Sequence, residues 1–584
     1  MLNDYTADIA ILILIFVSLG ASLNLLMGYA GQFSMAQAVF YGIGAYSAGL
    51  LTVNLGWPPL LGIVGAIAIA FIAALILSLP AAKRVSGEYL ILLTLAFQMV
   101  VNQLMTSLRD LTGGPYGFTV PWLTLFGKDF VTPVEFVPVM VVGSLIVLGI
   151  TWGIGESPFG RLLKGLREDE TAVRSLGKNT VLAKLLVFSI TAGLAGFVGG
   201  LSAYYYQFIA PGTYSLDLSI FVVSIIVLGG IGNLTGTVCA AVILGGLRPL
   251  LQNLEFIGDE NSYSWQAIIY GLALMLLMMF RPEGLLPEGV GMGTVFRHRP
   301  TRVSTVTRLP PGEPTGAPAG TAVTLGTGGA SAATEIVRVE GLSKHFGGIY
   351  AVNGVDLVFR EHQITALIGP NGAGKTTIFN LITGFLAADA GRILLRGVDI
   401  SGKPPNEVAL LGMARSFQDL RLFRRLTVLQ NVAMAVPRQP GENVVNLVLR
   451  PFRGPNVERQ TIATAMRYLD LTGMAANADQ RVSDLGYGEQ KLVAIARLLA
   501  TEAEVLLLDE PTSGIDPSAL DGMIRLVLRL KELGRTICIV EHSLHVVERL
   551  ADHVVFMEEG RVTAEGTIEE LTSQERLVEV YFGT

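Results

Sequence analysis

A glycine-rich segment, GPNGAGKTT at residues 369–377, combines the residue types that hold the phosphates of a nucleotide. Its glycines allow the backbone to curl so that the amides face the β- and γ-phosphates. Lys375 adds a point charge, and the hydroxyl of Thr376 is placed to face Mg²⁺. The residues predicted to contact ATP in this segment are Gly369, Asn371, Gly372, Gly374, Lys375, Thr376 and Thr377.

A second set of candidate catalytic residues follows about 130 residues later, in the sequence VLLLDEP. Four apolar residues, 505–508, predict a buried parallel strand, because such strands are covered on both faces. The end of this strand would bring Asp509 near the metal and Glu510 beside the attacking water. A histidine, His542, comes about 30 residues further on. The spacing of these groups indicates a nucleotide hydrolase.

The composition of the chain indicates what kind of protein holds these residues. Of the 584 residues, 51% are hydrophobic and 15% are charged, which indicates a membrane protein. The net charge is −6, and no basic tract with interleaved aromatic residues occurs, so nucleic-acid binding is disfavoured. The two cysteines, Cys239 and Cys538, exclude a disulfide framework.

The first 287 residues are predicted to form an all-α polytopic transmembrane domain with eight or nine spans. The first apolar run follows acidic residues without lysine or arginine, so we interpret it as a span and not as a cleavable signal peptide. The segment at 218–231 is short and broken by glycines, which leaves a full crossing or a re-entrant piece open. The predicted spans are 8–27, 34–53, 59–80, 89–106, 133–154, 184–206, 218–231, 235–252 and 264–280.

Basic residues indicate which loops face the cytoplasm. Lys83 and Arg84 follow the third span, six lysines and arginines occupy the loop at 156–184, and Arg281 follows the last span. Residues 288–334 are rich in Pro, Gly and Thr and predict a flexible linker. The segment at 335–584 would then lie on the cytoplasmic side of a bacterial-type inner membrane, where ATP is available.

The sequence LGYGEQ at 485–490 resembles the signature loop, LSGGQ, of ATP-binding cassette (ABC) ATPases. This resemblance implies an α/β P-loop ABC ATPase domain at 335–584 and a second ATPase domain, whose ATP the loop contacts. Its centre is similar to the LAYGQQ loop of the branched-chain amino acid uptake branch. Gly486 carries no hydroxyl, so contact with the γ-phosphate would come from backbone amides. The signature residues are Leu485, Gly486, Tyr487, Gly488, Glu489 and Gln490.

The same resemblance implies roles for four further positions. Phe346 would stack on adenine, although a phenylalanine of the core is the alternative. Gln418 would link Mg²⁺ and water to the membrane domain, and Asp516 would communicate across the ATPase dimer. His542 would contact the γ-phosphate. The implied catalytic residues are Lys375, Glu510 and His542, and the implied Mg²⁺ site is Thr376, Gln418 and Asp509, with no covalent intermediate.

The membrane half is similar to branched-chain amino acid ABC permeases, beginning with NLLMGYAGQFSMAQAVFYGIGAYSAGLL at 24–51. The stretches at 156–177, 192–201, 226–236 and 281–287 agree with the same family. The resemblance implies an importer with a second permease and a second ATPase, as a hetero-oligomer or homodimer, and an extracytoplasmic substrate-binding protein. Its membrane half would contact lipid.

The loop at 156–184 loosely matches the EAA-type coupling loop of importer permeases through Glu170, Ala172 and Gly177. A loop that is merely solvated is the alternative. If it couples, one face should bury against the ATPase while its arginines pair with the ATPase surface. The apolar residues of that face are Leu163, Leu166 and Val173, and the arginines are Arg161, Arg167 and Arg174.

Three alternatives to branched-chain amino acid uptake remain open in the sequence. Related importers with similar permeases carry urea or short amides. A fused exporter would show about six long spans, and a protein gated by ATP without turnover would not require Glu510 and His542. Polar residues within the spans could line a substrate path or bond neighbouring helices. They are Asn24, Gln32, Gln37, Gln98, Asn102 and Gln103.

Overall fold

The computed structural model describes residues 3–84, 87–125, 127–252, isolated positions between 265 and 281, and residues 283–288, 334–442 and 454–573. Eight of the 17 residues of the predicted span at 264–280, and all of the predicted linker at 288–334 except its two end residues, lie outside the described residues. The two ends of the described chain have different architectures, one helical and one mixed.

The N-terminal part consists of helices with four short strands between them. Helix α1 continues into a π-helical turn at Leu25–Tyr29. The helices are α1 Asp4–Asn24, α2 Gln37–Leu55, α3 Pro59–Arg84, α4 Gly87–Ser107, α5 Arg109–Thr112, α6 Pro133–Gly155, α7 Pro158–Glu168, α8 Glu170–Ser175, α9 Thr180–Tyr206, α10 Leu216–Gly229 and α11 Leu234–Gln252. The strands are β1 Phe118–Thr119, β2 Leu123–Leu125, β3 Lys128–Phe130 and β4 Phe208–Ile209.

Seven helical segments in the described residues are long and apolar enough to cross a membrane. They match the first seven predicted spans, and a shorter apolar helix at Leu234–Leu247 falls in the eighth. The segment predicted at 218–231 gains length because the turn at Pro211–Tyr214 leads into α10. The all-α polytopic prediction is therefore confirmed. The membrane segments are Asp4–Tyr29, Gln37–Leu55, Pro59–Pro80, Tyr89–Ser107, Pro133–Gly155, Thr180–Tyr206 and Pro211–Gly229.

Small residues bring α9 close to α2 and α3. A Cβ atom at Gly196 would lie 2.6 Å from the Cβ of Ala70, and one at Gly44 would collide with the backbone of Gly196. Without side chains at these points, the helices approach until their backbones touch, which is the way that membrane helices gain packing energy. A larger residue at either glycine would force the helices apart.

The polar residues of the spans bond neighbouring elements. Asn24 donates to Thr237 Oγ1 over 3.1 Å and accepts from the Gly232 amide over 3.0 Å. Gln98 donates to the Tyr214 carbonyl over 2.9 Å. These contacts favour the interhelical interpretation over a substrate path. Gln37 and Asn102 also bond other elements, Gln32 is buried, and Gln103 bonds Ser107 within its own helix.

The C-terminal part contains a six-stranded sheet and a four-stranded antiparallel sheet. The strands are β5 Glu335–Phe346, β6 Ile349–Arg360, β7 Ile364–Ile368, β8 Ala390–Leu395, β9 Val398–Asp399, β10 Met413–Arg415, β11 Val505–Asp509, β12 Thr536–Val540, β13 His553–Glu558 and β14 Arg561–Gly566. The helices are α12 Lys375–Ile382, α13 Pro405–Leu410, α14 Val428–Ala435, α15 Gly454–Leu471, α16 Tyr487–Leu499, α17 Pro517–Glu532, α18 Leu544–Leu550 and α19 Ile568–Thr572.

The larger sheet has the strand order β10-β11-β12-β7-β13-β14, which places the predicted catalytic residues at the same ends of neighbouring strands. Strands β7, β11 and β12 are parallel and buried along their full lengths. Because β11 is in register with β12 from Val505 to Asp509, both strands end side by side. The glycine-rich loop, Glu510 and His542 therefore emerge from neighbouring strand ends.

Candidate ATPase site and its contact with the membrane half

The glycine-rich loop joins the end of β7 to the first turn of α12. Gly374 has φ +99°, and a Cβ atom there would meet the backbone of Ala351, so only glycine fits. Asn371, Gly372 and Thr376 are exposed, whereas Thr377 is half-buried. Among the described residues, the amides of Gly372 and Gly374 donate to no protein carbonyl. The loop thus offers open amides at a helix N-terminus, an arrangement that suits phosphate.

Lys375 is folded back into this loop. Its ammonium donates to the carbonyls of Gly369 and Pro370 over 2.7 and 2.9 Å. Burial lowers the pKa of Lys375, while the nearby carboxylates of Glu510 and Asp509 oppose that shift. The ammonium is therefore held inside the loop by weak neutral acceptors, which a phosphate oxygen could replace.

Glu510 lies at the centre of a small hydrogen-bonding group. Its Oε1 is 2.9 Å from His542 Nε2, and its Oε2 accepts from Gln418 Nε2 over 3.3 Å. Glu510 has φ +48°, and its amide donates to the Val540 carbonyl at the end of β12. This backbone turn directs the carboxylate towards the histidine and the glutamine, so side chains from two other segments converge on it.

Asp509 has a cationic partner, Arg415, that was not predicted from the sequence. Arg415, the last residue of β10, pairs with its carboxylate over 3.1 Å, and the two side chains are 3% and 2% exposed. Burial raises the pKa of Asp509, and Arg415 opposes that shift. The only sequence signal was an isolated arginine at the end of an otherwise apolar strand. Arg415 thus compensates a buried carboxylate beside the predicted metal position.

Phe346 and Asp516 belong to two other segments of the ATPase half. Phe346 ends β5 with 51% of its surface exposed, and the Lys344 ammonium is 5.7 Å from its ring centroid. It is therefore not a residue of the hydrophobic core. Asp516 is exposed directly before α17, and its carbonyl accepts from the Ala519 amide over 2.9 Å.

The signature segment forms the N-terminus of α16. Glu489 accepts from the Gly486 amide over 2.9 Å, and Gln490 donates to the Leu485 carbonyl over 2.9 Å. The Glu489 carboxylate therefore occupies the Gly486 amide, one of the backbone amides expected to contact a γ-phosphate. Within the described residues, no hydrogen bond or ion pair joins 485–490 to the loop at 369–377. The two segments are not parts of one site within this chain.

Helices α7 and α8 of the membrane half dock on the ATPase half. Arg161 pairs with Glu458 through Nη2 and Oε2 over 3.1 Å, and Lys178 pairs with Glu442 over 2.6 Å. Gly177 lies beside Leu410 at the end of α13. Leu163, Leu166 and Val173 are buried. The contact excludes the alternative of a loop that is merely solvated.

Two predicted contacts of this loop are wrong. Arg174 and Lys184 both pair with Glu170 inside the membrane half, over 2.6 and 2.5 Å, so Glu170 ties α8 to α9 and does not contact the ATPase. Arg167 pairs with Glu288 over 2.7 Å and with the Gly28 carbonyl. Arg174 points inwards because its partner Glu170 lies one turn earlier on α8 and is also held by Lys184 of α9.

Acidic residues at the α7–α8 junction contact the ATPase instead. The Asp169 carboxylate accepts from Arg421 over 3.0 Å and also caps α8 through the amide of Ala172, which is buried. Glu168 accepts from the Arg425 amide over 3.2 Å. An aspartate directly before a helix predicts an N-cap, but the sequence does not predict the ion pair of Asp169 with Arg421.

Known proteins resemble both halves. Residues 5–280 match the family described as the permease component of the branched-chain amino acid transport system, and residues 352–513 match the ABC transporter family. The chain is 35% identical to the high-affinity branched-chain amino acid transport ATP-binding protein BraF of Pseudomonas aeruginosa over 249 residues, which cover 42% of this chain and 98% of that protein. The chain belongs to the ABC transporter family.

Further relatives match the ATPase half of the transporter. The probable branched-chain amino acid transport ATP-binding protein LivG of Archaeoglobus fulgidus is 36% identical, with coverage of 43% of this transporter and 96% of the relative. A crystal structure of a nucleotide-free ATP-binding cassette from an ABC transporter is 34% identical, with a TM-score of 0.38 and coverage of 43% and 100%. Together with the two family matches, the sequence relatives show that the transporter joins a multi-pass permease domain and an ABC ATPase domain in one chain.

The donor set of the transporter fits a metal that is held together with nucleotide phosphates. Among the described residues, no group of three or more His, Cys, Asp or Glu side chains could hold a metal ion by itself. Thr376 is exposed at the start of α12, and Asp509 and Gln418 lie at the same edge of the sheet. Mg²⁺ usually takes few protein ligands and keeps phosphate oxygens and waters, so these residues fit it.

Proposed function

We propose that this chain imports branched-chain or other hydrophobic amino acids across a bacterial-type cytoplasmic membrane, driven by ATP hydrolysis. The observation that carries the proposal is the docking of α7 and α8 on the ATPase half, where Asp169 holds Arg421 three residues after Gln418. A change at the ATPase site would reach the permease through this contact. The matches of both halves to branched-chain amino acid transport proteins support the substrate class.

The proposed hydrolytic roles follow from the geometry around Glu510. Its carboxylate would polarise the attacking water, since Gln418 and His542 already fix its two oxygens. Lys375 would leave its loop carbonyls and bind phosphate oxygen, together with the open amides of Gly372 and Gly374. Phe346, which is half exposed at the end of β5, would stack on adenine. Hydrolysis then depends on positioning and charge stabilisation without a covalent intermediate.

Mg²⁺, when bound, would neutralise charge on the phosphate oxygens. Thr376, Gln418 and Asp509 are the proposed residues that hold it. Arg415 pairs with the buried Asp509 carboxylate over 3.1 Å and opposes the rise in pKa that burial causes, which favours the charged form that a cation requires. Removal of Mg²⁺ should therefore weaken nucleotide binding without unfolding the domain.

The proposed assembly contains two ATPase domains and two permeases. Among the described residues, the signature segment at the start of α16 has no hydrogen bond or ion pair with this chain's own phosphate loop, and Tyr487 is 48% exposed. The signature residues would contact ATP held by a second ATPase, and Asp516 would lie at the same dimer contact. The partner is either a second copy of this chain or a related permease and ATPase. An extracytoplasmic substrate-binding protein would deliver the amino acid, and the ATPase would face the cytoplasm.

The test is uptake of labelled leucine into vesicles that contain this chain, its candidate partners and a neighbouring binding protein, with and without internal ATP. Glu510→Gln should abolish accumulation. Glu502→Gln is the matched control, because Glu502 is also a glutamate with positive φ but is exposed outside the site. ATP-dependent leucine accumulation that only Glu510→Gln removes supports the proposal. Accumulation of urea alone would refute the amino acid substrate.

A further inference from the structure

The segment RSFQDLR at 415–421 connects acidic side chains from the two halves of the chain. At its start, Arg415 pairs with Asp509 in the ATPase site over 3.1 Å. At its end, Arg421 pairs with Asp169 of the membrane half over 3.0 Å. Only five residues therefore lie between a contact with the predicted metal position and a contact with the permease.

Phe417 lies between these two ion pairs in space as well as in sequence. The Arg415 Cζ and the Arg421 Cζ both lie over its ring, each 5.0 Å from the centroid. Cations at this distance from an aromatic ring are attracted by the ring quadrupole, most strongly where water is excluded. The ring is also held at its edge by Phe385, with centroids 5.5 Å apart. A shift of one guanidinium should therefore displace the ring and with it the other guanidinium.

The backbone at the permease end of this segment is fixed by the signature helix. Arg497, on α16, donates to the carbonyls of Leu420 and Arg421 over 3.0 and 2.7 Å. Arg421 has φ +43°, a conformation that a non-glycine residue keeps only where its surroundings enforce it. The Arg497 contacts supply that restraint. The Arg421 side chain can therefore follow the permease without a collapse of its own turn.

A cavity adjoins Phe417 on the side of the membrane half. Ser175 and Leu176, at the end of α8, line it together with Phe417, Arg415 and Arg497. The cavity measures about 10 Å³, roughly the space of one water molecule, so the ring can shift only slightly unless α8 moves with it.

We propose that Phe417 is a positioning residue that transmits the position of α8 to Asp509 through its contacts with Arg421 and Arg415. The inference rests on the proposed function, because it needs a permease that moves during ATP turnover. When Asp169 pulls Arg421, the ring and Arg415 shift, and the Asp509 carboxylate changes its orientation beside the phosphate loop. The permease thereby sets how well the ATPase site holds its metal and nucleotide.

The test compares Phe417→Leu with Phe417→Tyr in the full chain with its partners in vesicles. Leucine accumulated per ATP hydrolysed should fall at least about fivefold in Phe417→Leu, a typical lower limit for coupling between sites. Phe417→Tyr keeps the ring face and should retain the wild-type ratio. Phe359→Leu, which truncates a buried phenylalanine of β6 that has no part in these contacts, is the control and should leave the ratio unchanged.

A second measurement needs no transported substrate. The affinity for a fluorescent ATP analogue is compared with Mg²⁺ and with EDTA in the wild type and in Asp169→Asn, which alters only the membrane half. We expect Asp169→Asn to change the Mg²⁺-dependent part of the affinity severalfold and to leave the affinity in EDTA unchanged. An unchanged Mg²⁺-dependent part, or an unchanged uptake ratio in a folded Phe417→Leu, would overturn the inference.

These two measurements separate the inference from the proposed function. If the wild type accumulates no leucine, the proposed substrate is refuted, and the Asp169→Asn binding measurement still decides the inference. The same measurement decides it if Phe417→Leu fails to fold. If the wild type transports leucine and both variants behave as the wild type, only the inference fails.

Discussion

The ion pair between Lys178 and Glu442 predicts a large effect on docking of the two halves. The ammonium lies 2.6 Å from the carboxylate and also donates to the Val436 carbonyl over 2.8 Å. The two side chains are only 5% and 18% exposed. Burial lowers the pKa of Lys178 and raises the pKa of Glu442, and each charge opposes the shift of the other. Each charge would therefore be destabilised in this buried contact if its partner were removed.

Lys178→Met removes the cation and leaves the carboxylate buried. Breaking a buried ion pair in this way costs about 3–5 kcal/mol, and the residual exposure of Glu442 places the expected loss near the lower limit. A loss of about 3 kcal/mol corresponds to a change of more than about 100-fold in the docking equilibrium. The double variant Lys178→Met, Glu442→Leu leaves no uncompensated charge, so it should recover most of the loss.

Docking can be followed by the rate of disulfide formation between two cysteines introduced by the substitutions Pro158→Cys and Gly441→Cys. A Cβ atom at Gly441 would lie 2.7 Å from Pro158 Cγ, so the positions adjoin across the contact. The native cysteines, Cys239 and Cys538, are first replaced by alanine. The single variant Lys178→Met should slow cross-linking strongly, and the double variant should restore it.

The control is Lys128→Met, which breaks an ion pair with Glu135 on a surface away from the docking contact. Lys128 is 61% exposed, and exposed pairs contribute little, so cross-linking should keep its wild-type rate. Wild-type cross-linking in Lys178→Met would refute the reasoning. So would a double variant that cross-links as slowly as the single one, since the loss would then not come from the stranded carboxylate.

Three further predictions concern the ATPase half. Glu510→Gln should bind nucleotide but release no phosphate, because the amide cannot polarise water, and normal phosphate release would remove Glu510 from its proposed role. Lys375→Ala should weaken binding of a fluorescent ATP analogue, because a charge-assisted contact is lost, whereas unchanged affinity would show that the phosphate cradle is misassigned. Glu489→Ala should lower the free energy of unfolding by about 1 kcal/mol in denaturant titrations, because the Gly486 amide loses its acceptor. Glu489→Gln keeps an acceptor, so an equal loss in that variant would contradict the capping explanation.

Much of the architecture could be predicted because its signals are local. The apolar runs were long enough to indicate the membrane helices, and the run at 505–508 indicated a buried strand that ends at Asp509. The parallel register of β11 and β12 then brings Glu510 and His542 together. The strand signal spans a few residues and each helix signal spans one apolar run, so both are contained within a single segment of the sequence.

The partners of charged residues could not be predicted in this way. The sequence places arginines at regular intervals in the loop at 156–184, but Arg174 pairs with Glu170 and only Arg161 among the predicted arginines holds a carboxylate of the ATPase half. An ion pair depends on which charges the tertiary fold brings within reach, and spacing along one loop does not contain that information. Arg415 was missed for the same reason, since its partner lies 94 residues away.

Glu489 shows a further limit of motif reading. The position of Glu489 in the signature loop predicts that it faces the ATP of a second ATPase. In the structure, its carboxylate accepts a hydrogen bond from the Gly486 amide. Both uses draw on the same feature, the electropositive start of a helix. A capping residue at this place therefore has to compete with any anion that approaches the helix.

The ion pairs of Arg161 and Lys178 connect two parts of a single polypeptide. Dilution of the protein therefore does not shift the equilibrium between the docked and the detached ATPase half. An ATPase half that detaches from its permease half stays on the same polypeptide, so the two halves meet again at a high effective concentration. A free subunit would have to find its permease at the much lower concentrations of a cell. The fused chain can therefore use contacts that are individually weak and rapidly broken, and still keep one ATPase domain for each permease domain.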